Sequence, residues 1–236
     1  FGNLPPRSSA PIGSGLEDME GYVSDPWMKG GMSQIRQGDA VLLVGTGLTM
    51  VDIVLSLEAQ GYAGPMIALS RRGLLPSRHA FGGHWPAFLA EPQRMSPADL
   101  LRVVRGEIRK SFKANVPWQR VIDSVRPFIA RIWRDWRPAE RKSFLRHLRP
   151  RWDVVRHRMA PRIAASIEAL LADGRLEIVS GRLAAAEQVR DGISIVIAGS
   201  GPHRTVHARH VINCTGPRSD FSSVGTPLVA DARRKG

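Results

Sequence analysis

The chain has 236 residues, 43% of them hydrophobic, enough for one large soluble domain or a domain carrying an insertion. Its most apolar stretch, Ala40–Leu57, is broken by glycines, threonines and Asp52, which excludes a transmembrane segment there. Its one cysteine, Cys214, excludes an intramolecular disulfide and, with no visible signal peptide, fits a reducing cytoplasm.

The net charge is +13, from 34 Lys/Arg and 21 Asp/Glu. Residues 94–158 alone hold 18 basic against 6 acidic side chains, a net +12, so the excess forms one basic face on an otherwise balanced chain.

Phe1–Gly38 is rich in Pro, Gly and Ser and predicts a connecting segment with little regular structure. Its length suits a connection from something upstream better than a loop inside a compact domain. Tyr22 and Trp27 could anchor it by burying aromatic surface, though simple packing is the favoured reading.

The chain's organising stretch is Ala40–Asp52, AVLLVGTGLTMVD. Val41–Val44 predicts a short buried strand, Gly45-Thr46-Gly47 a turn, and Thr49 onward a helix with Met50, Ile53, Val54 and Leu57 at helical spacing up to Gly61. A second strand, Met66–Ser70, follows the Gly64-Pro65 turn. Strand, glycine turn, helix and strand within about thirty residues is the plan of a dinucleotide-binding unit. Its chemistry lies in the helix start, where backbone N–H groups lack internal partners and the dipole is positive, so a pyrophosphate gains hydrogen bonds and charge compensation. Gly45, Thr46, Gly47, Leu48 and Thr49 are the candidates around it. Met50 stands where the third glycine of G-x-G-x-x-G is expected, and an ordinary tight turn that binds nothing fits the same residues. Asp52 reads as structural.

The second strand ends in Ser70-Arg71-Arg72. An acidic residue there would accept from the ribose hydroxyls of NAD; two guanidiniums instead suit the 2′-phosphate of NADP. NADP is therefore favoured over NAD, against the plainer reading of solvated surface arginines.

LLPSRHAFGGHWP after Gly73 reads as a loop near the nucleotide, with Arg78, His79 and His84. Two histidines fall short of the roughly four ligands of a structural zinc site, and no metal is expected. Ser96-Pro97 predicts a helix start, with Ser96 as N-cap. Helical stripes follow at Leu100–Ile108, at Trp118–Trp136 with a break at Pro127, and at Pro138–Leu148 and Val154–Met159. Residues 96–159 thus read as a basic helical insertion. Its charge fits solvated surface, nucleic acid, or an acidic protein or anionic membrane; no nucleic-acid-binding module accompanies it, which makes nucleic acid the weak choice.

Ala160–Ala172 predicts another helix, Leu176–Val179 a strand, and Leu183–Val189, Ile193–Ile197 and Val206–Ala208 short antiparallel strands, with Asp191-Gly192 as a two-residue hairpin signal. His210–Asn213 predicts a final strand running into Cys214-Thr215-Gly216-Pro217, with Cys214 as a small buried residue and no redox role.

VLLVGTGLTMVDIVLSL followed by ALSRRGLLPSRH resembles the second nucleotide-binding region of the FAD/NAD(P)-binding flavoproteins. These two-dinucleotide-binding-domain proteins are related in plan to pyridine nucleotide-disulfide reductases and flavin monooxygenases. Within that resemblance VINCTGP, with Gly216, is similar to the return crossing between their domains, and FGNLPP to the tail of the outgoing one. The resemblance implies the NAD(P)-binding middle portion of a larger flavoprotein. FAD binding is then expected only with a missing FAD domain, the chain's expected partner beside the nicotinamide nucleotide.

The expectation is therefore an α/β chain: a Rossmann-like nucleotide-binding domain (residues 39–95 and 160–220) with a helical insertion (96–159) and a small antiparallel β meander. Residues 1–38 would be the crossing segment and 221–236 a C-terminal tail. The expected function is the NADP(H)-binding portion of a flavin-dependent oxidoreductase, with no residue assigned a catalytic role. The alternative is a non-catalytic Rossmann-like module whose basic face docks on nucleic acid, membrane or an acidic partner.

Overall fold

The computed structural model describes residues 15–90, 94–217, 231 and 234. The expectations resting on Phe1–Pro6, and on most of residues 221–236, lie outside them. The chain divides into two compact units, Phe1–Gly73 with Ala169–Gly236, and Leu74–Glu168.

The first unit is built on a five-stranded parallel sheet. Its strands are β1 (Tyr22–Val23), β2 (Val41–Val44), β3 (Met66–Ser70), β4 (Leu176–Ser180) and β8 (His210–Asn213), in the order β1-β8-β2-β3-β4. Three further strands, β5 (Arg182–Val189), β6 (Gly192–Ala198) and β7 (Arg204–Ala208), form a separate antiparallel meander. Helix α1 (Leu48–Ala59) connects β2 to β3. The fold is α/β and Rossmann-like, with the meander added.

Period two along the strands divides the sheet into two faces. Leu42 lies opposite Val211 and Ile67, and Val44 opposite Leu69, so these side chains share one face. There Leu42, Leu69 and Val211 pack with Ile193, Ile195 and Ile197 of β6 and with Leu16 in one buried cluster. Val41, Leu43, Met66, Ala68 and Ile212 lie on the opposite face and are buried as well, as are Met50, Ile53, Val54 and Leu57 of α1. Full burial of each such Leu or Ile contributes roughly 1.5–3 kcal/mol. The continuous apolar run of β2 follows from this, because a parallel strand covered on both sides has no polar face.

Residues 15–38 hold little regular structure: Leu16–Asp18 forms a 3₁₀ turn, and Tyr22–Val23 pairs in parallel with Val211–Ile212 as the sheet's edge. Three local expectations are corrected. Trp27 anchors nothing, being 57% exposed. In the β5–β6 hairpin Val189 pairs with Gly192, so Arg190-Asp191 makes the turn and Gly192 opens the strand. Gly192 has φ +139°, and a Cβ there would run into the Ala208 carbonyl. Finally, the helical pattern over Val154–Met159 stops at Arg156; Met159 instead forms a bridge with Arg78.

The second unit is helical. It holds α2 (Pro97–Lys113), α3 (Trp118–Val125), α4 (Ile129–Asp135), α5 (Pro138–Ser143) and α6 (Arg149–Arg156). Helix α7 (Pro161–Ala172) runs across the division between the units. Ser96 caps α2, its Oγ accepting from the Asp99 N–H at 3.2 Å. Pro127 lies in a 3₁₀ turn, Arg126–Phe128, that separates α3 from α4; a proline there removes a helical donor and breaks the ladder. Asp123 of α3 gathers three guanidiniums. Arg120 lies at 3.1 Å, Arg126 at 3.5 Å, and Arg158, only 4% exposed, in closer contact. Among the described residues no helix is long and apolar enough to cross a membrane.

Candidate nucleotide site

The parallel strands of the first unit end on one edge, at Val44, Ser70, Ser180 and Asn213. From β2 the chain proceeds outward to β3 and β4, whereas β8 takes the other side of β2. The order therefore reverses between β8 and β2, and in open α/β sheets the crevice beyond the strand ends at such a switch point is where ligands bind.

Gly45-Thr46-Gly47 follows β2 at this crevice. Gly45 has φ +118°, and a Cβ there would stand 2.5 Å from the Cys214 carbonyl oxygen and 2.8 Å from its carbon. Glycine is needed because the ends of β2 and β8 come together there. Gly47 differs. Its φ is −84°, and a Cβ would meet no atom of the described residues within 4 Å. It is the N-cap of α1 and has no side chain with which to cap the helix end. The helix thus presents its first N–H groups beside an open approach, unlike α2 with its serine cap. Leu48 is exposed and Thr49 half-buried at the start of α1.

Thr46 is buried, and its Oγ1 donates to Ser70 Oγ at 2.8 Å, linking this turn to the end of β3. Ser70 Oγ also accepts from the Gly73 N–H at 3.1 Å, and Ser70 O from the Gly181 N–H at 2.9 Å. Arg71 and Arg72, which follow Ser70, are exposed. From the other side Gly216, at φ +79°, approaches α1: a Cβ on it would lie 3.9 Å from Thr49 Oγ1. The structure thus gathers Gly45, Thr46, Gly47, Leu48, Thr49 and Gly216 at the switch point, and sets Ser70, Arg71 and Arg72 at the neighbouring strand end.

One residue overlooked in the sequence, Asn213, shapes the crevice. Asn213, 1% exposed, accepts through Oδ1 from the Thr215 N–H at 3.2 Å and from Thr215 Oγ1 at 2.8 Å. This Asx-type turn shapes the backbone between β8 and Gly216, and its signal was an Asn two residues before a Thr. Cys214 is buried, and burial pushes its thiol up to about 12, so it is protonated at neutral pH. Asp52 of α1 is exposed. Among the described residues no group of three or more His, Cys, Asp or Glu could hold a metal ion.

The unit thus has a Rossmann-like fold with a glycine turn at its switch point. No family model matches the chain, and no curated protein matches it significantly. Solved structures do. The FAD-bound cadaverine monooxygenase of desferrioxamine biosynthesis from Erwinia amylovora matches with a TM-score of 0.55 at 9% identity, over 99% of this chain and 46% of that one. The ornithine hydroxylase of Pseudomonas aeruginosa matches with a TM-score of 0.54 at 14% identity, over 97% and 47%. The L-lysine 6-monooxygenase of Pseudomonas syringae matches with a TM-score of 0.53 at 16% identity, over 98% and 48%. The likeness is one of fold, and the chain spans about half the length of these proteins.

Proposed function

We propose that the chain is the NADP(H)-binding portion of a flavin-dependent oxidoreductase. The observation that carries this reading is the start of α1. It is a glycine-capped helix end, open to approach, at the switch point of the sheet, with two exposed arginines following the adjacent strand. The pyrophosphate lies against Gly45–Thr49, where the backbone N–H groups of Leu48 and Thr49 compensate its charge. Arg71 and Arg72 take the 2′-phosphate, which distinguishes NADPH from NADH. Ser70 holds the loop that carries them, and Gly216 keeps the far wall of the crevice low. NADPH, when bound, supplies the hydride that reduces FAD in the complete protein. The chain's own contribution is position and electrostatics. The FAD-bound structural neighbour supports the flavin context.

Titration with NADPH and NADH, followed by the fluorescence of the six tryptophans, tests the reading. NADPH binds saturably and more tightly than NADH. Arg71→Ala with Arg72→Ala weakens NADPH by about tenfold or more, since contacts to charged groups contribute roughly 1.5–3 kcal/mol each. Equal affinity for NADH, or an unchanged affinity in the double variant, overturns the cofactor assignment. No saturable nucleotide signal, together with salt-sensitive binding to polyanions, is the outcome of the alternative in which the basic face docks on another molecule.

A further inference from the structure

The helical unit carries a half-open pocket of about 300 Å³, at the small end of the range for small-molecule sites. Trp133, Trp136, Phe144 and Trp152 are among its walls. Three of these rings form one cluster. Trp133 meets Trp136 at 6.0 Å and Phe144 at 6.2 Å, both edge-to-face, and Trp136 meets Phe144 at 5.1 Å, tilted. The cluster is held from outside. Trp136 Nε1 donates to the Met95 carbonyl at 2.8 Å, and Arg141 bonds to the Trp133 and Arg134 carbonyls while its guanidinium stacks on the Trp133 ring. Trp133 and Leu145, which also line the pocket, are 37% and 45% exposed.

Its lining is mostly apolar, with one cation, the exposed Arg156, left uncompensated among the described residues. Arg149, Asp153, Arg156 and His157 contribute, and Asp153 is taken by Arg149 at 3.3 Å. Arg156 accepts through its carbonyl from Arg126, but its own guanidinium has no hydrogen-bond or ion-pair partner among the described residues. The backbone between walls and charge is unusual. Phe144–Leu148 is a π-helical turn between α5 and α6. Phe144 and Arg149, five residues apart, both line the cavity; an α-helix would turn them well away from each other, and the wider π turn brings them round.

We propose that this cavity binds a compact aromatic carboxylate, its ring joining the Trp133–Trp136–Phe144 cluster and its carboxylate meeting the Arg156 guanidinium. An added ring extends an edge-to-face cluster in the arrangement that ring quadrupoles favour, and the Arg156 charge selects an anion over a neutral analogue.

Isothermal titration of the full chain with 1-naphthaleneacetate and its neutral amide tests this. The acid binds saturably at one site per chain, and the amide about tenfold more weakly, the worth of one charge-assisted contact. Arg156→Ala removes most of that preference with the helix content unchanged, and Trp133→Ala weakens acid and amide alike. Absence of saturable binding, equal affinity for acid and amide, or an Arg156→Ala variant that keeps the preference overturns the proposal.

Discussion

Thr46 Oγ1 donates a 2.8 Å hydrogen bond to Ser70 Oγ, joining the turn after β2 to the last residue of β3. Because Ser70 Oγ also accepts from the Gly73 N–H, one hydroxyl holds both the glycine turn and the loop that begins with Arg71 and Arg72. The pyrophosphate and 2′-phosphate ends of the proposed site are therefore mechanically connected.

Ser70→Ala removes the acceptor for two donors. A lost neutral hydrogen bond costs about 1 kcal/mol, and a buried donor left without an acceptor costs about 1–3. The expected loss is roughly 1–3 kcal/mol, read as a lower urea midpoint with an unchanged slope. Ser70→Thr keeps the hydroxyl and recovers most of it. Under the proposed function, Ser70→Ala also weakens NADPH more than NADH, because it loosens the loop that carries the arginines.

Gly45 and Gly47, two residues apart, respond oppositely to the same substitution. At Gly45 an alanine adopts φ +118° and collides with the Cys214 carbonyl. Backbone strain and overpacking each cost about 1–3 kcal/mol, so Gly45→Ala loses roughly 2–5 kcal/mol or fails to fold. At Gly47 the backbone is ordinary and none of the described residues occupies the space. Gly47→Ala gives up only an N-cap preference, within about 1 kcal/mol, yet places a methyl group at the open approach to α1. Thermal unfolding and nucleotide titration of the two variants check this: Gly47→Ala remains folded and loses nucleotide affinity.

The strand–turn–helix core was readable because its signals are local. Val41–Val44 and Met66–Ser70 are bounded apolar runs, α1 has its apolar residues at helical spacing, and Ser96-Pro97 is a cap that needs no tertiary context. What escaped depends on distant partners. β1 has two residues and no period, and exists because Tyr22–Val23 pairs with Val211–Ile212. The switch point required knowing that β8 lies beside β2. Gly45 read as part of a glycine turn, but the contact that requires a glycine there, with the chain itself at Cys214, was not legible. The β5–β6 turn is offset by one residue, and the Ala208 carbonyl, distant in sequence, leaves no room for a Cβ at Gly192.

Asp39 makes stability depend on acid. It precedes β2 at the sheet edge away from the candidate site, where its Oδ2 lies 3.0 Å from His210 Nε2 and accepts from the Arg36 N–H at 2.8 Å. Burial pushes the carboxyl up, but the Arg36 N–H, the His210 ring and the Arg209 charge outweigh it and hold its pKa below 3.8. A carboxyl with a depressed folded pKa stabilises above its unfolded value, and that stability is lost as pH falls below about 4. Asp39→Asn therefore narrows the difference in urea midpoint between pH 5 and pH 3 relative to the wild-type chain. An equal acid loss in both proteins would show that Asp39 carries none of it.

The helical unit depends on Asp123. Its carboxylate is shared by Arg120, Arg126 and Arg158, and Arg158 is nearly buried at 4% exposure. Removing one member of a buried ion pair costs about 3–5 kcal/mol, because the remaining charge is left uncompensated. Here three cations would lose their common anion in a region already carrying a net +12 between residues 94 and 158. Asp123→Ala is thus more damaging than Arg126→Ala, which removes a half-exposed cation at 3.5 Å and relieves repulsion among those that remain. Hydrogen exchange resolves the effect by region: Asp123→Ala loses protection in α3 and at Arg158, while the amides of β2, β3 and β8 keep theirs. Arg126→Ala changes protection by less than tenfold throughout, since exposed pairs contribute about 0–1 kcal/mol.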